Sequence, residues 1–244
     1  AQGAGVLAAL VVAAAVIRRT NPVGAPPPTG APPHATNPDH YFGATLVALL
    51  AFGLLMNADV ILVKMFFAQA ADFGPYARAA TVARTLVFLS QPIVLALFPQ
   101  VTADAAAAPA HRAMLFQALA LAGLMIAALV ALCLIWPTGP LWLLFGDRAP
   151  TALQQQLVRL LALAMAPTGL VQVLLMFALA QRRFRALWPL AVTAPALILG
   201  IAWFHQSLFQ VAGILALCTL GALLGLAGEL ARPAHQTAPG VRHD

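Results

Sequence analysis

The sequence predicts an all-α protein, a polytopic membrane helix bundle of about seven transmembrane helices, and three observations lead there. Of the 244 residues, 62% are hydrophobic and only 8% charged, against roughly 25% charged in a soluble domain. The apolar residues are gathered into long runs separated by gaps rich in Gly, Pro or basic side chains. Inside a bilayer no water satisfies the backbone, so segments of this kind are stable only as helices. The same composition excludes other classes. The chain is too apolar for disorder, its 17 glycines have no triplet period, and 2 cysteines cannot staple a disulfide scaffold.

The first run, residues 3–17, is shorter than the ~20 residues a complete span needs. It is expected to be the end of a transmembrane helix (1–17) cut within its span, the chain being the back part of something longer. A secretory signal fits less well, because Arg18 and Arg19 follow the apolar stretch instead of preceding it. Residues 18–41 contain Pro22, Pro26, Pro27, Pro28, Pro32, Pro33 and Pro38 and few apolar side chains, so they read as a Pro-rich linker. Six apolar runs follow, at residues 42–67, 79–101, 113–136, 156–180, 186–204 and 208–231. At about 1.5 Å per residue, each approaches or exceeds a hydrocarbon layer of about 30 Å. They delimit a six-helix unit over residues 42–232, followed by a tail at 233–244.

The 13 basic and 7 acidic residues give a net charge of +6. The basic residues sit in the gaps, which points to topology and away from a nucleic-acid partner. Arg18, Arg19, Arg112, Arg182, Arg183, Arg185, Arg232 and Arg242 fall on one side of the predicted membrane, and Arg78 and Arg148 on the other. The crowded side is expected to be cytoplasmic, together with the linker and the C-terminus. The gaps around Gly74 and Gly146 then face outward.

Few polar residues lie within the spans. Asn57, Asp59 and Lys64 share the second span, and Asp59 is the deepest acid. A charge at that depth costs about 2.5–3.5 kcal/mol on insertion scales, so it faces protein or a watery cavity. Asp59 therefore reads either as an ion or hydrogen-bonding site in a transport path or as half of a packing ion pair. Lys64 is placed to snorkel outward. Arg84 and Gln91, seven residues apart, share a face of the third span. Arg84 suits a pair with Asp59 or a phosphate group. Arg159, Thr168 and Gln172 mark the fifth span, where Thr168 can also bond back to its own helix. Pro92, Pro167 and Pro195 are expected bends, and Gly221, Gly225 and Gly228 form a close-packing stripe. Cys133 and Cys218 stand alone, and the histidines show no ligand spacing. No catalytic set, metal site or cofactor motif is present in the sequence, so an enzyme is not expected.

The run Asn57-Ala58-Asp59-Val60-Ile61-Leu62-Val63, then Gly74-Pro75-Tyr76-Ala77-Arg78-Ala79-Ala80, then Phe98-Pro99, resembles polysaccharide flippases of the multidrug/oligosaccharidyl-lipid/polysaccharide exporter superfamily. Leu144-Phe145-Gly146 and Ala180-Gln181-Arg182-Arg183-Phe184-Arg185 continue the resemblance, over about residues 42–232. It implies one lobe of a two-lobe, alternating-access transporter in the bacterial inner membrane, completed by an N-terminal lobe. The implied cargo is an undecaprenyl-pyrophosphate-linked oligosaccharide, with membrane lipids and a glycan polymerase as further partners. Arg84 and Arg159 would then meet phosphate, and Asp59 would couple an ion or hold Arg84. A lipid II flippase would normally carry further helices. A cation-coupled drug exporter would use acidic and aromatic cavity residues, whereas the sequence reads as having one deep acid and no deep tyrosine. A partner of a glycan polymerase that does not itself transport would need no polar cavity.

Overall fold

The computed structural model describes residues 38–67, 70–102, 108–181 and 183–231. The helix end at 1–17, most of the linker and the tail lie outside the described residues. Of the unit that ends at His40 only residues 38–40 are described, and the account that follows concerns the unit beginning at Tyr41.

Seven α-helices and no strand are found among the described residues: α1 (Pro38–Phe66), α2 (Ala70–Thr102), α3 (Ala108–Ile135), α4 (Thr138–Phe145), α5 (Ala152–Ala180), α6 (Trp188–Trp203) and α7 (Leu208–Ala231). Four segments are long and apolar enough to cross a membrane: Phe42–Phe66, Ala113–Ile135, Ala152–Ala180 and Leu208–Ala231. The protein is a helical membrane bundle. The run at 186–204 forms a shorter helix of 16 residues, α6. A 3₁₀ turn, Phe184–Leu187, leads directly into it. At about 1.5 and 2.0 Å per residue the two together span about 32 Å.

Several boundaries differ from the sequence reading, each for a local reason. α1 starts at Pro38, inside the segment read as linker, because proline is suited to a first helical turn, where its missing N–H costs nothing. α2 starts at Ala70 and not near residue 79, so Gly74-Pro75-Tyr76 belongs to the helix and not to the gap. α4 was not foreseen. It has 8 residues, closed by Gly146 at φ 69°, whose N–H donates to the Trp142 carbonyl. That left-handed cap is a conformation glycine adopts without strain. α5 starts at Ala152 because the Thr151 side chain accepts from the Gln154 N–H, an N-cap. Pro92, Pro167 and Pro195 are all accommodated within unbroken helices.

α5 is the central helix. Two thirds of its most apolar window is buried (67%), against 28–39% for the other three spanning segments, and it packs on α2, α3 and α7. The outside is greasy: Ile135, Leu143, Trp203, Leu217 and Phe116 are each 70% exposed or more. A soluble bundle would not show such a surface, and lipid solvates it here. All four tryptophans are exposed and lie at or beside helix ends, where indole rings favour the membrane–water interface.

Contacts between loops and helix ends define two rims. Arg78 pairs with Asp147 at 3.2 Å, and Phe66 stacks on His205 at 4.3 Å. These contacts join the gaps near Gly74, Gly146 and His205 at one rim. At the other rim Arg183 donates to the Leu230 and Glu229 carbonyls at the end of α7, a favourable place for a cation.

The glycine stripe on α7 meets α6. A Cβ at Gly225 would stand 2.6 Å from Pro189 Cβ, whereas one at Gly221 would make ordinary contact with Thr193 and one at Gly228 would meet nothing. Gly225→Ala is therefore expected to cost about 1–3 kcal/mol through forced separation of α6 and α7. Gly228→Ala should be neutral or slightly stabilising. Thermal unfolding in detergent compares the two, and equal midpoints would refute the close crossing.

Candidate functional site

The polar centre of the bundle lies between α1 and α2. Asp59 stands seven residues before the end of α1, about 10 Å along its axis, and is fully buried. Its Oδ1 accepts from Arg84 Nη2 at 2.7 Å, and its Oδ2 accepts from the Tyr76 hydroxyl at 3.1 Å. Arg84 Nε also donates to the Met56 carbonyl at 2.8 Å, one helical turn before Asp59. The Arg84 side chain is 14% exposed, so its guanidinium reaches the edge of the cluster. Of the two readings open for Asp59 and Arg84, the geometry makes them partners. The charge-assisted pair is neutral as a unit, and both carboxylate oxygens are satisfied.

Tyr76 corrects the sequence reading, which found no deep tyrosine. Once α2 extends back to Ala70, Tyr76 lies two turns before Arg84 on the same helix and is fully buried against Asp59. The sequence offered one signal that was missed: Arg78 alone separates Tyr76 and Ala77 from the apolar run that follows.

The other expected site residues are spread out. Asn57 is exposed and donates to the Gly53 carbonyl of its own helix. Lys64 and Arg159 are exposed, Gln91 is half-buried, and none of these three hydrogen-bonds to the Asp59 cluster. Thr168 and Gln172 are buried in α5, and Thr168 Oγ1 contacts Met165 Sδ at 3.8 Å within its own helix. Pro92 and Pro195 are exposed and Pro167 is half-buried. Thr219, also unforeseen, is fully buried and donates to the Ala164 carbonyl at 2.7 Å. Pro167 has no N–H for the Leu163 carbonyl four residues earlier, and the Thr219 bond falls on the neighbouring carbonyl of that weakened turn.

A second pattern appears when the exposed polar side chains of the helices are placed. Asn57 and Lys64 on α1, Arg78 and Thr81 on α2, and Gln156 and Arg159 on α5 are exposed. Along α6 the exposed residues are Trp188, Ala191, Val192, Pro195, Ala196, Leu199 and Trp203, all apolar. Those of α7 between Leu217 and Ala231 are apolar or glycine, and α3 from Ala120 to Ile135 exposes no polar side chain. α3 and α7 expose Gln117 and Gln210 nearer their starts, and α1 also exposes Val47, Leu50, Ile61 and Met65, so it is the exposed charges within helices, Lys64, Arg78 and Arg159, that are confined to α1, α2 and α5 among the described side chains. No group of three or more metal-ligating side chains occurs among the described residues.

The buried pair gives a direct test. Asp59→Asn or Arg84→Met leaves one charge uncompensated and is expected to cost about 3–5 kcal/mol. The double variant should recover much of that loss, and Tyr76→Phe should cost only about 1–3 kcal/mol. Unfolding in detergent across the double-mutant cycle measures the coupling. Additive effects would show that the pair contributes no mutual stabilisation.

No protein-family model, no curated protein and no solved structure matches the chain.

Proposed function

We propose that this chain is one lobe of a membrane flippase that moves a lipid-linked, phosphate-bearing oligosaccharide by alternating access. The observation that carries the reading is where the exposed charges fall. Among the described side chains, the exposed charged residues within helices, Lys64, Arg78 and Arg159, lie on α1, α2 and α5, and α3, α6 and α7 show none. Exposed polar groups at membrane depth are costly unless they face a watery cavity or another protein surface, so α1, α2 and α5 form the inner wall that an N-terminal lobe completes. The exposed charges within the spanning segments of this wall, Lys64 and Arg159, are both basic, which suits an anionic headgroup. The order of the Asn57–Val63, Gly74–Ala80 and Leu144–Gly146 motifs supports the same assignment, and two of them meet where the Arg78 guanidinium lies 5.9 Å from the centre of the Phe145 ring.

A cation-coupled exporter is the second reading, favoured by the Tyr76 hydroxyl on Asp59. Arg84 weighs against it, because the acid is already neutralised by a guanidinium at 2.7 Å and offers no free charge to a cation.

In the full-length protein, Lys64→Gln and Arg159→Gln are each expected to lower lipid-linked glycan translocation about tenfold. Both residues are exposed, so stability should move by no more than about 0.5 kcal/mol. Gln117→Leu, on the outer side of α3, is the control. Unchanged translocation, or an equal loss from the control, would remove the wall from the mechanism. Orientation is tested by labelling single cysteines at Gln206 and Gln181. The first should react from outside and the second should be shielded, and the opposite pattern would invert the topology.

A further inference from the structure

A second cleft, distinct from the wall of α1, α2 and α5, lies at the rim that holds Gly146. It encloses about 230 Å³ and is lined by Trp136, Thr138, Trp142 and Arg148. Trp136 and Trp142 are 54% and 47% exposed. The Trp136 ring rests on Gly139, where a Cβ would stand 2.5 Å from Cε3. The indole is thus seated on bare backbone and held in place before any ligand arrives.

The lining has a single chemical character. An indole N–H and a guanidinium only donate hydrogen bonds, and the Thr138 hydroxyl can donate as well. None of these four side chains hydrogen-bonds to another described residue. The charges nearby are already matched: Arg78 is paired with Asp147, and the remaining oxygen of Asp147 accepts from the Ala149 N–H. Arg148 is therefore a cation with no acid paired to it among the described residues. Four unused donors around one space, with no acid among them, call for an anionic acceptor. The residues next to the two tryptophans in sequence, Ile135 and Leu143, are apolar and 82% and 79% exposed. A ligand that carries an anion at the interface and hydrocarbon beside it matches both features.

We propose that Trp136, Thr138, Trp142 and Arg148 form a docking site for the phosphodiester headgroup of an anionic membrane lipid, whose acyl chains lie along Ile135 and Leu143. The site depends on membrane residence alone and not on the flippase reading. A zwitterionic lipid would bring its own cation beside Arg148 and bind less well. A free phosphate ion would gain nothing from Ile135 and Leu143.

The test is retention of lipid by the full chain in detergent, read by native mass spectrometry against added phosphatidylglycerol, phosphatidylcholine or inorganic phosphate. Phosphatidylglycerol should be retained in preference to phosphatidylcholine. Arg148→Gln should weaken that preference about tenfold, and Thr138→Val by a smaller factor. Arg112→Gln, near the opposite end of α3 from Trp136, should leave it unchanged. Since Arg148 is exposed in a loop, the variant should fold, and an unchanged unfolding midpoint verifies this. Equal retention of both lipids, full retention by Arg148→Gln, equal loss from Arg112→Gln, or displacement of the lipid by millimolar inorganic phosphate would each overturn the proposal.

Discussion

The bundle is organised around the need to neutralise one carboxylate in an apolar setting. Asp59 is fully buried, and an isolated ion there would cost several kcal/mol. Arg84 and Tyr76 supply both of its hydrogen bonds from α2, which fixes the register of α1 against α2. In lipid, where apolar burial between helices gives little net driving force, interhelical hydrogen bonds of this kind help to carry association. The second anchor of Arg84, on the Met56 carbonyl, holds the guanidinium so that the pair cannot slide by a turn.

The same economy governs α5. A helix surrounded by others needs apolar residues on nearly every side, and its long buried list from Leu157 to Leu179 meets that need. Pro167 in its middle would be expensive in water-exposed isolation, because it removes a backbone bond. Thr219 from α7 supports the weakened turn at Ala164. A polar side chain on one helix thus tolerates a backbone defect on another. Thr219 lies within an otherwise apolar stretch of α7, between Cys218 and Leu220, which is why its role shows only when the two helices are seen together.

Most of the architecture was legible because lipid imposes length and polarity directly on sequence. The long runs became helices, and the rims grouped Gly74 with Gly146 as the arginine pattern implied. The Asp59–Arg84 partnership was legible as one of two options, since residue type alone cannot say whether an arginine meets an acid or a ligand. The missed features are short-range or relational. The eight residues of α4 are too few to give a periodic signal. The α2 start was hidden by Gly74 and Pro75, which punctuate chains in water but are tolerated in packed membrane helices. Tyr76 was lost with it. The placing of exposed charges on three helices needs knowledge of which side of each helix is covered, and a hydrophobic run gives none.

The two kinds of ion pair divide the molecule mechanically. Asp59–Arg84 is enclosed, and parting it would strand a charge at a cost of several kcal/mol. Arg78–Asp147 has side chains 51% and 23% exposed, and solvent-exposed pairs of this kind contribute about 0–1 kcal/mol. The stacking of Phe66 on His205 at the same rim is likewise a surface contact between loop and helix end. Here the expensive pair joins α1 to α2 in the interior, and the inexpensive contacts stitch the loops. Parting the contacts at the Gly146 rim therefore costs far less than changing the register of α1 against α2.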